Sequence, residues 1–214
     1  MKEYPVDLLR FREYIQFLMS KPAEKGGILL YGSSFFTRWE HATEEMLKAS
    51  NGRYHVVNRG FGGATADELI YHYARLVPAC EPKAVIFRMG PNDFFRGFSA
   101  EEAWGSAWRL ASFFRADYPG IKLIFLCAFD YRSLKPELYP MFKEFNALQK
   151  EYAECTDNAW YMDINEFFHE KPEDAGTLEN FRDVFIEDGL HLTPEAYLEF
   201  ADYLTRRLDE MKIF

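Results

Sequence analysis

The sequence predicts an α/β protein, a three-layer α/β/α sandwich around a five-stranded parallel sheet. Five short apolar runs of strand length alternate with helical stretches along the chain, and such alternation favours a parallel sheet covered by helices on both faces. The 214 residues, of which 48% are hydrophobic, are enough to bury one substantial core. No repeat or low-complexity tract divides them, so we expect residues 1–214 to form a single domain.

The elements follow one another in a regular order. An amphipathic helix is expected over about residues 5–20, because apolar side chains recur there at helical spacing, namely Leu8, Phe11, Ile15, Leu18 and Met19. The five predicted strands are Ile28–Tyr31, Tyr54–Val57, Ala84–Met89, Lys122–Cys127 and Ala159–Asp163.

Helix-start signals stand after three of the loops. Thr65 and Ser99 are each followed three residues later by glutamate, which is the pattern of a capping box. Thr193 precedes Pro194, and proline is favoured in the first turn of a helix. We therefore expect helices to begin just after these three residues.

A candidate nucleophile lies where the first predicted strand ends, in the segment Gly32-Ser33-Ser34-Phe35. A serine at a strand-to-helix turn is exposed at the sheet edge, and nearby helix amides favour developing negative charge. The same residues are also those of an ordinary turn and helix cap.

A candidate acid and base stand three residues apart, at Asp188 and His191. A histidine that accepts a proton from a hydroxyl needs its other ring nitrogen held by a carboxylate, which fixes the tautomer and stabilises the imidazolium. Taken alone, this spacing is more often found in a solvated loop. Asp163, at the end of the fifth predicted strand, is the alternative acid.

Two further loops follow predicted strands, at 58–65 and 90–93. Ligands bind at the carboxyl ends of strands in open parallel sheets. Gly63 offers a backbone N–H that no side chain blocks, and Asn92 offers a side-chain amide, so both could stabilise an oxyanion. Each is also a common turn residue.

Together, these four segments resemble the SGNH hydrolases, the GDSL-type esterase, lipase and acylhydrolase superfamily. The similarity runs from Ile28 to about Tyr197. It implies a flavodoxin-like SGNH hydrolase fold and a catalytic triad of Ser34, Asp188 and His191. It also implies an oxyanion hole formed by Ser34, Gly63 and Asn92. Where the family name derives from Gly-Asp-Ser-Leu, this chain has serine and phenylalanine in place of the aspartate and the leucine.

The resemblance implies a metal-free carboxylic ester hydrolase that needs no cofactor. Its substrates would be small-molecule esters, including acetylated carbohydrates. We expect acetyl groups to be preferred, because bulky side chains flank the proposed oxyanion site, namely Phe35, Phe36, Phe94 and Phe95. The alternatives are a lysophospholipase-like or thioesterase-like acylhydrolase, a catalytically silent protein that binds a glycan or a partner, and a flavodoxin-like flavin-binding protein.

Composition disfavours other classes. The net charge of −9 disfavours nucleic acid and anionic membrane surfaces as partners. The start of the chain lacks the layout of a signal peptide, so a cytoplasmic location is expected. An odd number of widely spaced cysteines argues against a disulfide framework or a metal site. The other histidines, at 41, 55, 72 and 169, show no metal-ligand spacing.

Overall fold

The computed structural model describes residues 9–214 and contains one parallel sheet with the strand order β2-β1-β3-β4-β5. The strands are β1 (Ile28–Gly32), β2 (Val56–Asn58), β3 (Ala84–Arg88), β4 (Lys122–Leu126) and β5 (Ala159–Met162). The sheet confirms the predicted α/β fold, and its order is the doubly wound order of flavodoxin-like proteins.

The strand ends differ from the prediction by one or two residues. The largest difference is at β2, which begins at Val56 and not at Tyr54, because the Tyr54 N–H donates to Ser50 Oγ at 2.9 Å instead of joining the sheet. Every residue of β1 and β3 is buried, as expected for strands covered on both faces.

Helices cover both faces of the sheet. They are α1 (Arg12–Ser20), α2 (Ser34–Thr37), α3 (Ala42–Ala49), α4 (Ala66–Leu76), α5 (Pro91–Phe95), α6 (Ala100–Asp117), α7 (Tyr139–Glu154) and α8 (Pro194–Glu210). Helix α3 packs against α8, while α6 packs between α4 and α7. No helix within residues 9–214 combines the length and the apolar character that a membrane span requires.

The N-terminal helix is shorter than predicted. Residues 5–8, including Leu8, lie outside the described residues, and residues 9–11 form a turn before α1. Ile15 and Leu18 are buried as the helical spacing predicts, whereas Met19 is exposed. The Arg10 side chain in the preceding turn reaches across to the Glu68 carboxylate, so this turn is tied to helix α4.

The three predicted helix starts are confirmed. Thr65 and Ser99 each form a reciprocal capping box with the glutamate three residues later. Thr193 Oγ1 accepts a hydrogen bond from the Ala196 N–H at 3.1 Å at the start of α8. These caps satisfy helix N–H groups that would otherwise have no partner.

The sequence did not predict the structure of the segment 163–193 between β5 and α8. It contains two short 3₁₀ helices, Asn165–Phe168 and Pro172–Asp174. Isolated bridges join His169 to Phe181 and Phe185 to Leu192. This segment carries Asp188 and His191 to the carboxyl edge of the sheet, where the loops after β1 and β3 also lie.

Candidate active site

Gly32 allows β1 to lie close to β3 just before the candidate nucleophile. A Cβ at Gly32 would lie 2.2 Å from the Arg88 carbonyl oxygen, so a larger residue would push the two strands apart. The Ser33 N–H then donates to the same carbonyl at 3.2 Å. Ser34 is the first residue of α2, at the strand-to-helix turn that the sequence indicates.

The two adjacent serines differ in exposure. Ser33 is 4% exposed, whereas Ser34 is partly exposed. Both line a small cavity, and Ser34 alone of the two also lines a wider groove beside it. Ser34 is therefore the serine that a bound ester reaches more easily.

His191 and Asp188 form a close pair. His191 Nδ1 lies 2.6 Å from Asp188 Oδ2, and Asp188 Oδ1 accepts the N–H groups of Leu190 and His191 at 2.9 Å each. Burial raises the pKa of Asp188, but these hydrogen bonds outweigh burial and lower the pKa to about 2. The carboxylate is therefore ionised at neutral pH and orients the imidazole.

The other ring nitrogen of His191 is free to act as a base. His191 Nε2 is buried and has no hydrogen-bond partner among residues 9–214, and His191 lines the same cavity as Ser34. No direct hydrogen bond joins the Ser34 hydroxyl to Nε2. Catalytic hydrogen bonds of this kind commonly tighten when a substrate binds.

Asp163, the alternative acid, lies elsewhere. Its Oδ1 accepts the Asn165 N–H at 2.9 Å and lies 3.6 Å from Cys127 Sγ. No hydrogen bond or ion pair joins Asp163 to His191, which is paired with Asp188. Of the two acids considered from the sequence, Asp188 alone is placed to orient the histidine.

The glycine loop after β2 lies beside Ser34. A Cβ added to Gly62 would lie 3.8 Å from Ser34 Cβ. Gly63 follows with a φ of +78°, in the left-handed region that favours glycine. Within residues 9–214, neither the Ser34 N–H nor the Gly63 N–H donates a backbone hydrogen bond, so both can serve a ligand.

Arg10 braces this loop from outside, a role that the sequence did not reveal. Its guanidinium donates to the Gly63 carbonyl oxygen and forms a salt bridge with Glu68, with Nε 2.8 Å from Oε1. The Glu68 carboxylate also accepts the Thr65 N–H at 2.9 Å. The loop is therefore held both at Gly63 and at Thr65, where helix α4 is capped.

Asn92 links the third loop to the second. Its side-chain nitrogen donates to the Ala64 carbonyl oxygen at 2.9 Å, which leaves one of its two amide N–H groups for a ligand. Asn92 also lines the cavity with Ser34 and His191. The four proposed oxyanion and triad positions Ser34, Gly63, Asn92 and His191 thus meet at one edge of the sheet.

Two recesses of different size flank Ser34. One is a cavity of about 20 Å³, whose walls include Asn92, Phe95 and Phe129. The other is an open groove of about 740 Å³, lined on one side by Arg38, Glu40 and His41. His191 borders both recesses.

The aromatic side chains expected near the site are divided between the site and the core. Phe35 and Phe95 line the cavity. Phe36 is fully buried, and Phe94 packs against Phe142 and Phe145, so two of the four rings lie at the site and the other two belong to the core. The helical turns of α2 and α5 point their rings toward the core instead.

Arg88 forms part of the cavity wall and was treated in the sequence only as a strand residue. It is 3% exposed, and its guanidinium lies 4.5 Å from the centre of the Phe129 ring. Burial lowers the pKa of Arg88 to about 10, so it still carries its charge at neutral pH.

This arrangement can perform nucleophilic acyl transfer. It combines a hydroxyl, a carboxylate-oriented imidazole and free N–H donors around one small cavity. Within residues 9–214, no group of three or more His, Cys, Asp or Glu side chains is arranged to hold a metal ion.

Comparison with protein families gives a match over most of the chain. The model of the GDSL-like lipase/acylhydrolase family matches residues 29–198, which include Ser34, Gly63, Asn92, Asp188 and His191. None of the curated proteins compared with the chain matches it.

Solved structures share the fold at low sequence identity. A GDSL-like lipase from Bacteroides thetaiotaomicron is 15% identical, with a TM-score of 0.67 over 96% of this chain and 100% of the lipase. The esterase EstA from Pseudoalteromonas is 17% identical, with a TM-score of 0.65 over 88% and 99% of the two chains. A variant of Axe2, an acetyl-xylooligosaccharide esterase from Geobacillus, is 18% identical, with a TM-score of 0.68 over 88% and 96%.

Proposed function

The chain belongs to the GDSL-like lipase/acylhydrolase family, and from that membership we propose that it is a serine esterase of short acyl esters. Ser34 is the nucleophile, His191 the general base and acid, and Asp188 the residue that orients His191. The oxyanion is held by the N–H groups of Ser34 and Gly63 and by the Asn92 side chain.

The reaction has two halves. Ser34 Oγ attacks the ester carbonyl carbon while His191 Nε2 accepts the hydroxyl proton. The tetrahedral intermediate then collapses, the bond between the carbonyl carbon and the alcohol oxygen breaks, and Nε2 returns the proton to the departing alcohol. Water, activated by the same nitrogen, attacks the acyl-enzyme, and the carboxylic acid leaves as Ser34 regains its proton.

One observation carries this proposal. His191 is fixed by Asp188 at 2.6 Å through Nδ1, and its free Nε2 belongs to a cavity that also contains Ser34 and Asn92. A base, a nucleophile and an oxyanion donor around one cavity are what acyl transfer requires.

The two recesses support an assignment of the two halves of the substrate. The leaving alcohol must depart before water can enter, so the larger groove suits the alcohol, and the smaller cavity suits the acyl group. A cavity of about 20 Å³ leaves no room for a long acyl chain. This size supports acetyl in preference to long acyl chains.

The open groove supports a sugar as the alcohol. Its volume of about 740 Å³ is that of a small-molecule site, and Arg38, Glu40 and His41 supply polar side chains for hydroxyl groups. The similarity to an acetyl-xylooligosaccharide esterase supports the same class. We therefore propose acetylated carbohydrates as substrates.

Hydrolysis of p-nitrophenyl acetate by two serine variants tests this function. Ser34→Ala should lose on the order of 10⁶-fold in kcat, as loss of a triad nucleophile does elsewhere, whereas the matched variant Ser33→Ala should keep a measurable fraction. Loss in Ser33→Ala with activity in Ser34→Ala would overturn the choice of nucleophile.

A further inference from the structure

We propose that the acyl cavity also binds a carboxylate through Arg88, so that short acyl esters ending in a carboxylate are hydrolysed in preference to neutral esters of the same length. This inference rests on the proposed function, because it assigns the acyl half of the substrate of the same site. It concerns a residue that neither the triad nor the oxyanion hole uses.

Arg88 is a buried cation that lacks an anionic partner. It is 3% exposed, and its Nε is enclosed without a hydrogen-bond partner. Within residues 9–214, its guanidinium forms no salt bridge with an aspartate or a glutamate. Buried charges in proteins are normally paired, because their removal from water is costly.

The groups around the guanidinium are neutral at physiological pH. The polar side chains that interact electrostatically with Arg88 are those of Cys127, Tyr131 and Tyr197. Burial raises the pKa of each of them, so all three are protonated and neutral at physiological pH. The Phe129 ring provides one face contact, which leaves the N–H edge of the guanidinium without an acceptor.

Arg88 belongs to the cavity that contains the catalytic groups. Its carbonyl oxygen accepts the Ser33 N–H at 3.2 Å, which places it directly beside the nucleophile turn. Its side chain borders the same cavity as Ser34, Asn92 and His191. An acyl group on Ser34 and the guanidinium would therefore share one cavity.

The size of the cavity sets the length of the acyl group. A volume of about 20 Å³ leaves room for few atoms beyond the ester carbonyl, so the carboxylate must follow after one or two carbons. Guanidinium groups bind carboxylates through two parallel N–H donors. The chemistry therefore favours malonyl-sized acyl groups over neutral groups of the same length.

The test compares monoethyl malonate, whose acyl group ends in a carboxylate, with ethyl propanoate, whose acyl group has the same number of carbons and is neutral. Ethanol release measured by NMR gives kcat/KM for each. We expect the wild-type protein to prefer the anionic ester by on the order of tenfold to a hundredfold, the range for a hydrogen bond to a charged group.

Arg88→Met should abolish this preference while retaining hydrolysis of ethyl propanoate. Methionine is apolar and of similar length, and replacing a buried unpaired charge need not destabilise the fold. Arg38→Met, which removes a charge from the alcohol groove, is the matched control and should change the ratio by no more than about twofold, because an exposed charge is screened by salt.

Arg88→Lys provides a second variant, since it retains the charge but not the paired donors, and it should show an intermediate ratio. A wild-type ratio of one or less, or a ratio that Arg88→Met leaves unchanged, would overturn the proposal.

Binding of malonate, measured by isothermal titration calorimetry, separates this inference from the proposed function. If neither ester is hydrolysed, but malonate binds and Arg88→Met removes that binding, the esterase function is contradicted and the anion subsite is supported. If ethyl propanoate is hydrolysed, but malonate does not bind and the anionic ester is not preferred, the esterase function is supported and the anion subsite is contradicted.

Discussion

The Asp93 carboxylate accepts a hydrogen bond from the Ala66 N–H, with Oδ1 3.1 Å from the nitrogen. Asp93 follows the proposed oxyanion residue Asn92, and Ala66 begins helix α4 after the glycine loop. Together with the bond from Asn92 to the Ala64 carbonyl, this contact joins the two loops that carry the proposed oxyanion donors. The geometry of the site therefore depends on a buried carboxylate that touches no substrate.

Asp93 should make stability depend on pH. Burial raises its pKa to about 7, the Ala66 N–H lowers it, and Asp67 and Glu68 raise it. The folded state therefore holds a proton that the unfolded state releases above its pKa of about 4. The stability that this proton contributes is complete below about pH 4 and is lost as the pH rises through about 7.

Asp93→Asn should consequently flatten the pH dependence. Urea unfolding of the wild-type protein and the variant at several pH values gives the comparison. The difference between the two free energies of unfolding should change by up to roughly 4 kcal/mol between pH 4 and pH 7. Parallel curves for the two proteins would contradict the raised pKa.

Arg10→Met should lower kcat more than it raises KM. Arg10 holds the Gly63 carbonyl, and the Gly63 N–H is proposed to bind the oxyanion. That hydrogen bond forms in the transition state and not in the ground state, so a looser loop should weaken transition-state binding more than substrate binding. We expect a loss in kcat of on the order of tenfold, less than removal of a whole oxyanion donor. Arg12→Met, at the start of α1 and without this contact, is the control, and an equal loss there would contradict the role.

Asp188→Asn should reduce kcat/KM by roughly 10³-fold to 10⁴-fold, because the imidazole loses its orientation and its counter-charge. Since the pKa of Asp188 is about 2, the carboxylate stays ionised across the working range. The pH profile of kcat/KM near neutral pH should therefore not arise from protonation of Asp188. Asp163→Asn is the matched control and should leave this profile unchanged, so an effect there comparable to that of Asp188→Asn would contradict the assignment.

Rates on p-nitrophenyl esters should fall in the order acetyl, butyryl, octanoyl, since each methylene beyond the small cavity gains no burial and clashes. Phe95 is 53% exposed and lines the cavity. Phe95→Ala should therefore improve butyryl relative to acetyl by several-fold. Trp108 is similarly exposed but lies outside the site, so Trp108→Ala should leave the ratio of butyryl to acetyl rates unchanged. Rates that rise from acetyl to octanoyl would favour a lipase-like function.

The fold could be predicted because its signals are local. The strand β3 is an apolar run up to Arg88, and the capping boxes at Thr65 and Ser99 mark helix starts within four residues. The positions of Ser34, Gly63 and Asn92 follow from a simple rule, since the carboxyl ends of parallel strands share one edge.

The remaining features depend on contacts between distant residues. Arg10 and Gly63 lie 53 positions apart, and no local pattern indicates that they meet. The apolar strand around Arg88 was a usable signal, because a charged residue within a buried strand needs an explanation. The path of residues 163–193 rests on scattered bridges and 3₁₀ turns, for which sequence periodicity provides no guide.

Covalent labelling with a fluorophosphonate tests the central claim most directly. A serine activated by a neighbouring histidine reacts with such a probe, whereas an ordinary surface serine does not. We expect one probe per chain, mapped by peptide mass spectrometry to Ser34, and loss of labelling in His191→Ala. Absence of labelling in the wild-type protein, or labelling at Ser33 with Ser34 unmodified, would contradict it.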